Sequence, residues 1–120
     1  MPNTPDLLKN RTKTFAIEIV KLVDQLPQNT ASQILGKQLL RCGTSVGANY
    51  RAVCRAKSRA DFISKMMIVE EEADETIYWM ELLSEVDLIP RKRVISLIEE
   101  ANQLVAITVS SINTARKRQN

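Results

Sequence analysis

A chain of 120 residues, 44% hydrophobic and 26% charged, has the length and apolar content for one domain with a real core. It contains no histidine, which removes the commonest general base, the commonest neutral metal ligand and the usual partner of a serine or cysteine nucleophile. Aromatic residues make up only 4%, low for a β-sandwich or barrel, and helix formers dominate the rest.

The first helix is expected to start near Thr4, where Thr4-Pro5-Asp6 offers a cap, a first-turn proline and an early acid. Leu8, Phe15, Ile19, Leu22 and Leu26 mark its inner face, with Ala16, Val20 and Val23 beside them, and Pro27 ends it. The second follows Asn29-Thr30, with Thr30 and Gln33 as a capping box. Leu35, Leu39, Cys42, Val46 and Val53 recur at helical spacing up to about Ala56, with Tyr50 and Gly43 at the margin of that stripe. The third starts after Ser58, where Ser58-Arg59-Ala60-Asp61 is a second capping pattern. Its seam is Phe62, Met66, Val69, Ala73, Ile77, Met80 and Leu83, and it stops near Asp87. The fourth starts around Pro90 and buries Val94, Leu97, Ile98, Ala101, Leu104, Val105, Thr108, Ile112 and Ala115. Connections of a few residues force antiparallel neighbours. The expected fold is all-α: an antiparallel up-down-up-down four-helix bundle, with residues 1–120 as a single domain.

Gly43 and Gly47 lie four residues apart inside the second helix, each costing roughly 1 kcal/mol of helix stability relative to alanine. They point to the close approach of a neighbouring helix; a local kink is the lesser alternative. Gly43-Thr44-Ser45-Val46-Gly47 lacks the Gly-Lys-Ser/Thr ending of a phosphate loop. Cys42 and Cys54 would stand about 18 Å apart along one helix, too far to bridge, which reads as buried or semi-buried thiols in a reducing cytoplasm. The polar start of the chain does not read as a signal peptide, and no apolar run approaches the ~20 residues of a membrane helix. The expectation is a cytoplasmic protein with no membrane partner and no small-molecule substrate.

Charge is segregated along the chain. From Lys37 to Lys65 there are seven bases against one acid, and from Glu70 to Asp87 eight acids and no base. Lys37, Arg41, Arg51 and Arg55 project within roughly 80° of one another on the second helix. They form a phosphate-binding track, a solvated face, or a set of ion pairs with the acids of the third helix. Lys57 and Arg59 extend the track, and Arg116, Lys117 and Arg118 make a second basic patch. Tyr50 is the one aromatic near the track for stacking a base. On the third helix Ile68, Trp79, Leu82 and Val86 form a second stripe away from the core seam, with Glu72 and Glu75 among them. One core cannot bury both stripes, so the second is expected at an interface between copies, where aromatic anchors are enriched; the alternative has Trp79 packing across the edge of its own bundle. Glu71, Glu72 and Glu75 lack histidine partners and an inward facing pair of acids, so no metal, no cofactor and no catalytic residue is expected.

The run Gln38-Leu39-Leu40-Arg41-Cys42-Gly43-Thr44-Ser45-Val46-Gly47-Ala48-Asn49, with Lys57-Ser58-Arg59-Ala60-Asp61-Phe62 and Glu72-Ala73-Asp74-Glu75-Thr76-Ile77-Tyr78-Trp79-Met80-Glu81-Leu82-Leu83, resembles the 23S rRNA-intervening sequence proteins of bacteria. The resemblance covers about residues 10 to 118. It implies an antiparallel four-helix bundle and a ring-like homopentamer. Similar accessory proteins of diversity-generating retroelements bind nucleic acid and a reverse transcriptase through basic surfaces. The family supplies no catalytic residues. Two functions remain open on the sequence: a self-assembling, non-enzymatic bundle that binds RNA or a ribonucleoprotein, or a protein-binding oligomeric scaffold with no direct nucleic-acid role.

Overall fold

The computed structural model describes residues 4–119: four α-helices, α1 (Thr4–Asp24), α2 (Thr30–Val53), α3 (Arg59–Glu85) and α4 (Arg91–Gln119), in an antiparallel bundle measuring 50 × 28 × 20 Å. Consecutive helices pack side by side, and α1 and α4 meet only lightly. Polar contacts help to join that last pair. Arg11 grips the Glu100 carboxylate with two nitrogens, at 2.7 and 3.0 Å, and Arg93 donates to the Gln25 side chain at 2.7 Å.

Local chemistry sets the helix ends. The side chain of Thr4 lies outside the described residues. At α2 the cap is Asn29, not the Thr30–Gln33 box: Asn29 is extended, and its Oδ1 accepts from the Ser32 amide at 2.8 Å. Asn29 satisfies a first-turn donor one residue earlier than Thr30 would, and asparagine is among the best N-caps. Ser58 caps α3 as expected, accepting from the Asp61 amide at 3.0 Å. The Asp61 carboxylate accepts from the Lys65 ammonium and from the Lys57 amide, and these two bonds hold its carboxyl below the usual range. At the far end of α3, Asp87 takes a left-handed backbone (φ 63°). Its amide donates to Ser84 O and the Leu88 amide to Leu83 O at 2.9 Å, which closes the helix. Pro90 sits one residue before α4, and its carbonyl accepts from the Arg93 amide.

The expected stripes meet in one core. Phe15, Ile19, Leu39, Val46, Met66, Val69, Met80, Leu83, Val94 and Leu104 are all nearly or fully buried. Several positions depart from the sequence reading. Tyr50, placed at the margin, is only 4% exposed and belongs to the core. Ile63 is buried while Phe62 is half-buried, because the start of α3 turns its seam by one residue. Thr76 is sealed, its hydroxyl donating to Glu72 O at 2.7 Å, so a polar residue is tolerated inside. Val20 is exposed, on the rim where α1 and α2 diverge.

At Gly43 and Gly47 α2 lies tightly against α1. A Cβ on Gly43 would stand 2.7 Å from Ile19 Cγ2, and one on Gly47 would stand 3.2 Å from the Thr12 carbonyl oxygen. α2 is unbroken through both residues, so the glycines serve packing and not a kink.

The two cysteines are free and differ in setting: Cys42 is buried and Cys54 exposed, against the expectation that both would be at least semi-buried. Cys54 follows the last residue of α2, where the chain leaves the core for the turn. Burial pushes the Cys42 thiol up, leaving less thiolate at any given pH. A disulfide-exchange reagent is therefore expected to titrate one thiol per folded chain rapidly and the second only after denaturant is added. Two fast thiols in the native protein would contradict this placement of Cys42.

Candidate nucleic-acid interface

Up-down-up-down packing brings the start of α1, the end of α2, the start of α3 and the end of α4 to one end of the bundle. Divided at the helix midpoints, that half holds eleven bases: Lys9, Arg11, Lys13, Arg51, Arg55, Lys57, Arg59, Lys65, Arg116, Lys117 and Arg118. It holds four acids, Asp6, Asp61, Glu70 and Glu71. The opposite half has six bases and ten acids. The segregation visible along the chain is thus also a segregation in space, because the acidic second half of α3 is joined there by Glu18, Asp24, Glu99 and Glu100.

Within the basic half, Arg11 is paired with Glu100 and Lys65 with Asp61. None of the other nine cations lies within ion-pair distance of a described carboxylate. All nine are exposed. The structure gathers Arg51, Arg55, Lys57, Arg59, Arg116, Lys117 and Arg118 at this end. Arg59 also donates to the backbone carbonyl of Arg118, tying the start of α3 to the end of α4. Lys37 stands apart, in a groove toward the acidic end with Asp24.

Arg41 is engaged differently. Its guanidinium contacts Glu72 at 3.2 Å and also Glu75, and the Glu75 carboxylate accepts from the Trp79 indole N–H at 3.0 Å. The alternative in which the α2 track pairs with acids of the third helix thus describes Arg41 within a single chain. Trp79 is half-buried, packed on the edge of the core, with its ring edge-on to Tyr78 at 5.0 Å. Along the same face of α3 Ile68 is 42% and Val86 49% exposed, and Leu82 is half-buried. Ile34 on α2, 58% exposed, shares the helical face of Arg41.

Two lysines of this end escaped the sequence reading. Lys9 and Lys13, four residues apart on α1, border a groove with Arg51 of α2. Their spacing was the available signal, but which face of α1 looks toward Arg51 is a matter of helix pairing. Tyr50, in contrast, is withdrawn from the surface, and burial raises its hydroxyl pKa. It offers no stacking platform. Among the described residues no cluster of three or more side chains is suited to hold a metal, and no helix is long and apolar enough to cross a membrane.

A protein-family model described as "23S rRNA-intervening sequence protein" matches residues 8–110. The chain belongs to the 23S rRNA-intervening sequence protein family. A crystal structure from Bacteroides thetaiotaomicron, a protein of unknown function from the S23 ribosomal protein family, is 39% identical with a TM-score of 0.82. The alignment covers 88% of this chain and 97% of that one. A search of curated proteins finds no match. The family match takes in α2 and α3 whole and reaches from residue 8 of α1 to residue 110 of α4.

Proposed function

We propose that this intervening sequence protein is a non-enzymatic, self-assembling bundle that binds RNA through its basic end. One observation carries the reading: nine exposed cations with no ion-pair partner among the described carboxylates converge at one end, while ten of the fourteen acids lie toward the other. Such an end attracts phosphates by releasing their counterions, and with no exposed aromatic among its described residues the binding is mainly electrostatic and therefore weakly sequence-specific. The test is the affinity of the full chain for structured RNA between about 50 and 200 mM salt. A steep fall with salt supports the proposal, and a flat response removes it.

Self-assembly rests on a separate surface. Ile68 and Val86 are exposed on the face of α3 that carries the half-buried Trp79, Ile34 is exposed on the face of α2 that carries Arg41, and the Arg41–Glu72–Glu75 cluster joins the two helices. An aromatic anchor hydrogen-bonded to a charged cluster, on a face that also exposes aliphatic side chains, has the composition of an interface centre. We expect Trp79→Ala and Glu75→Arg each to lower the mass of the wild-type assembly measured by light scattering. Glu75→Arg acts by setting a second cation against Arg41. A wild type that is monomeric at all concentrations would remove self-assembly. An assembly that forms without any affinity for RNA would favour the protein-binding scaffold instead.

A further inference from the structure

The groove between the first half of α1 and the last half of α2 has the features of a phosphate cleft. It encloses about 450 Å³. Lys9 and Lys13 stand on one wall and Arg51 on the other, while Ala16, Gly47 and Ala48 are among its small lining residues. The missing side chain at Gly47 lets α2 approach the Thr12 backbone closely, which draws the cations of the two helices toward each other. Like charges four residues apart on a helix repel, and no described carboxylate pairs with these three. An anion seated in the groove would relieve that repulsion.

We propose that this groove seats the phosphodiester backbone of single-stranded RNA, with Arg51 forking onto one phosphate and Lys9 and Lys13 flanking the next. This rests on the RNA-binding reading above and assigns it a place and two residues, Lys9 and Lys13. The two cationic walls rise from touching helices whose axes run about 8 to 10 Å apart, so one phosphate backbone lying along the groove can meet both. No aromatic stands among the residues that line the groove, which selects backbone over bases.

Two variants of the full chain separate charge from shape, with labelled single-stranded RNA as the probe and anisotropy as the readout. Lys9→Glu/Lys13→Glu reverses the charge. Ala48→Trp, at an exposed position, fills the groove and leaves the charge unchanged. Both should retain the wild-type circular dichroism spectrum and weaken binding about tenfold or more, as expected for the loss of one to two phosphate contacts. Arg116→Glu/Lys117→Glu, outside the groove, should weaken it less. If wild type binds with a steep salt dependence but Ala48→Trp binds within twofold of it, the groove is not entered; the proposal fails and the basic-end reading survives. If duplex RNA of the same sequence binds as tightly, the single-strand assignment fails. If wild type does not bind at all, both readings fall together.

Discussion

Arg51→Glu/Arg55→Glu is expected to weaken RNA binding roughly tenfold or more near 0.1 M salt and to reduce the slope of log affinity against log salt by about 1.5. Arg51 lies in the last turn of α2 and Arg55 in the turn that follows, both exposed and neither paired with a described carboxylate. Each is thus available to a phosphate, and each lost contact removes about 0.7 from the slope for a single strand. Reversing Arg51 also places an acid where the helix dipole prefers a base, at a cost of about 0.3 to 1 kcal/mol; circular dichroism and a melting curve check that the bundle persists. Arg91→Glu/Lys92→Glu is the control. It makes the same change in total charge at the acidic end. If the two pairs lose affinity equally, the protein responds to net charge alone and the basic end has no special role.

The largest stability effect from the smallest substitution is expected at Gly43. Alanine there gains about 1 kcal/mol of helix propensity. Its Cβ, however, would stand 2.7 Å from Ile19 Cγ2, 2.9 Å from Cγ1 and 3.1 Å from Cβ. Ile19 is fully buried and branched at Cβ, so the crowded atoms sit close to its own backbone and cannot swing away. Helices α1 and α2 must separate locally, and overpacking of this kind costs about 1 to 3 kcal/mol. Gly43→Ala should therefore lower the melting temperature. In an Ile19→Ala background the same substitution should become neutral or favourable, a coupling that a double-mutant cycle measures. Gly36→Ala provides the contrast. Its nearest neighbour is the far end of Leu26, Cδ1 at 2.8 Å, which a rotamer change removes, so propensity should win and stability rise. A stabilised Gly43→Ala would show that α1 does not rest on α2 at this point.

Much of the fold was readable before any coordinates. Four apolar stripes at helical spacing, separated by Pro27, Ser58 and Pro90, place the helices to within about three residues. The errors have local causes. Asn29 took the cap from Thr30 because its amide oxygen reaches the Ser32 amide. Tyr50 was misjudged because position on one helix does not say how far the flanking helices extend over its rim; here its body is covered. The close approach at Gly43 and Gly47 was legible as a cost in helix propensity, but its partner, Ile19 and Thr12 of α1, was not.

The functional surface divides in the same way. The basic run of α2 and the acidic run of α3 are properties of the chain, and so is the surplus of apolar residues on α3. The sequence by itself determined helix number, helix length and the sign of each segment, because these follow from periodicity and composition over a few turns. Only the tertiary structure decided which charges share a surface. Lys9 and Lys13 meet Arg51 across more than thirty residues of chain, and Arg41 turns to Glu72 and Glu75, because antiparallel packing joins residues that no local pattern connects. Electrostatic attraction acts through space over about a Debye length, so the field a phosphate would meet is set by how the helices are paired, and pairing is a property of the assembled core.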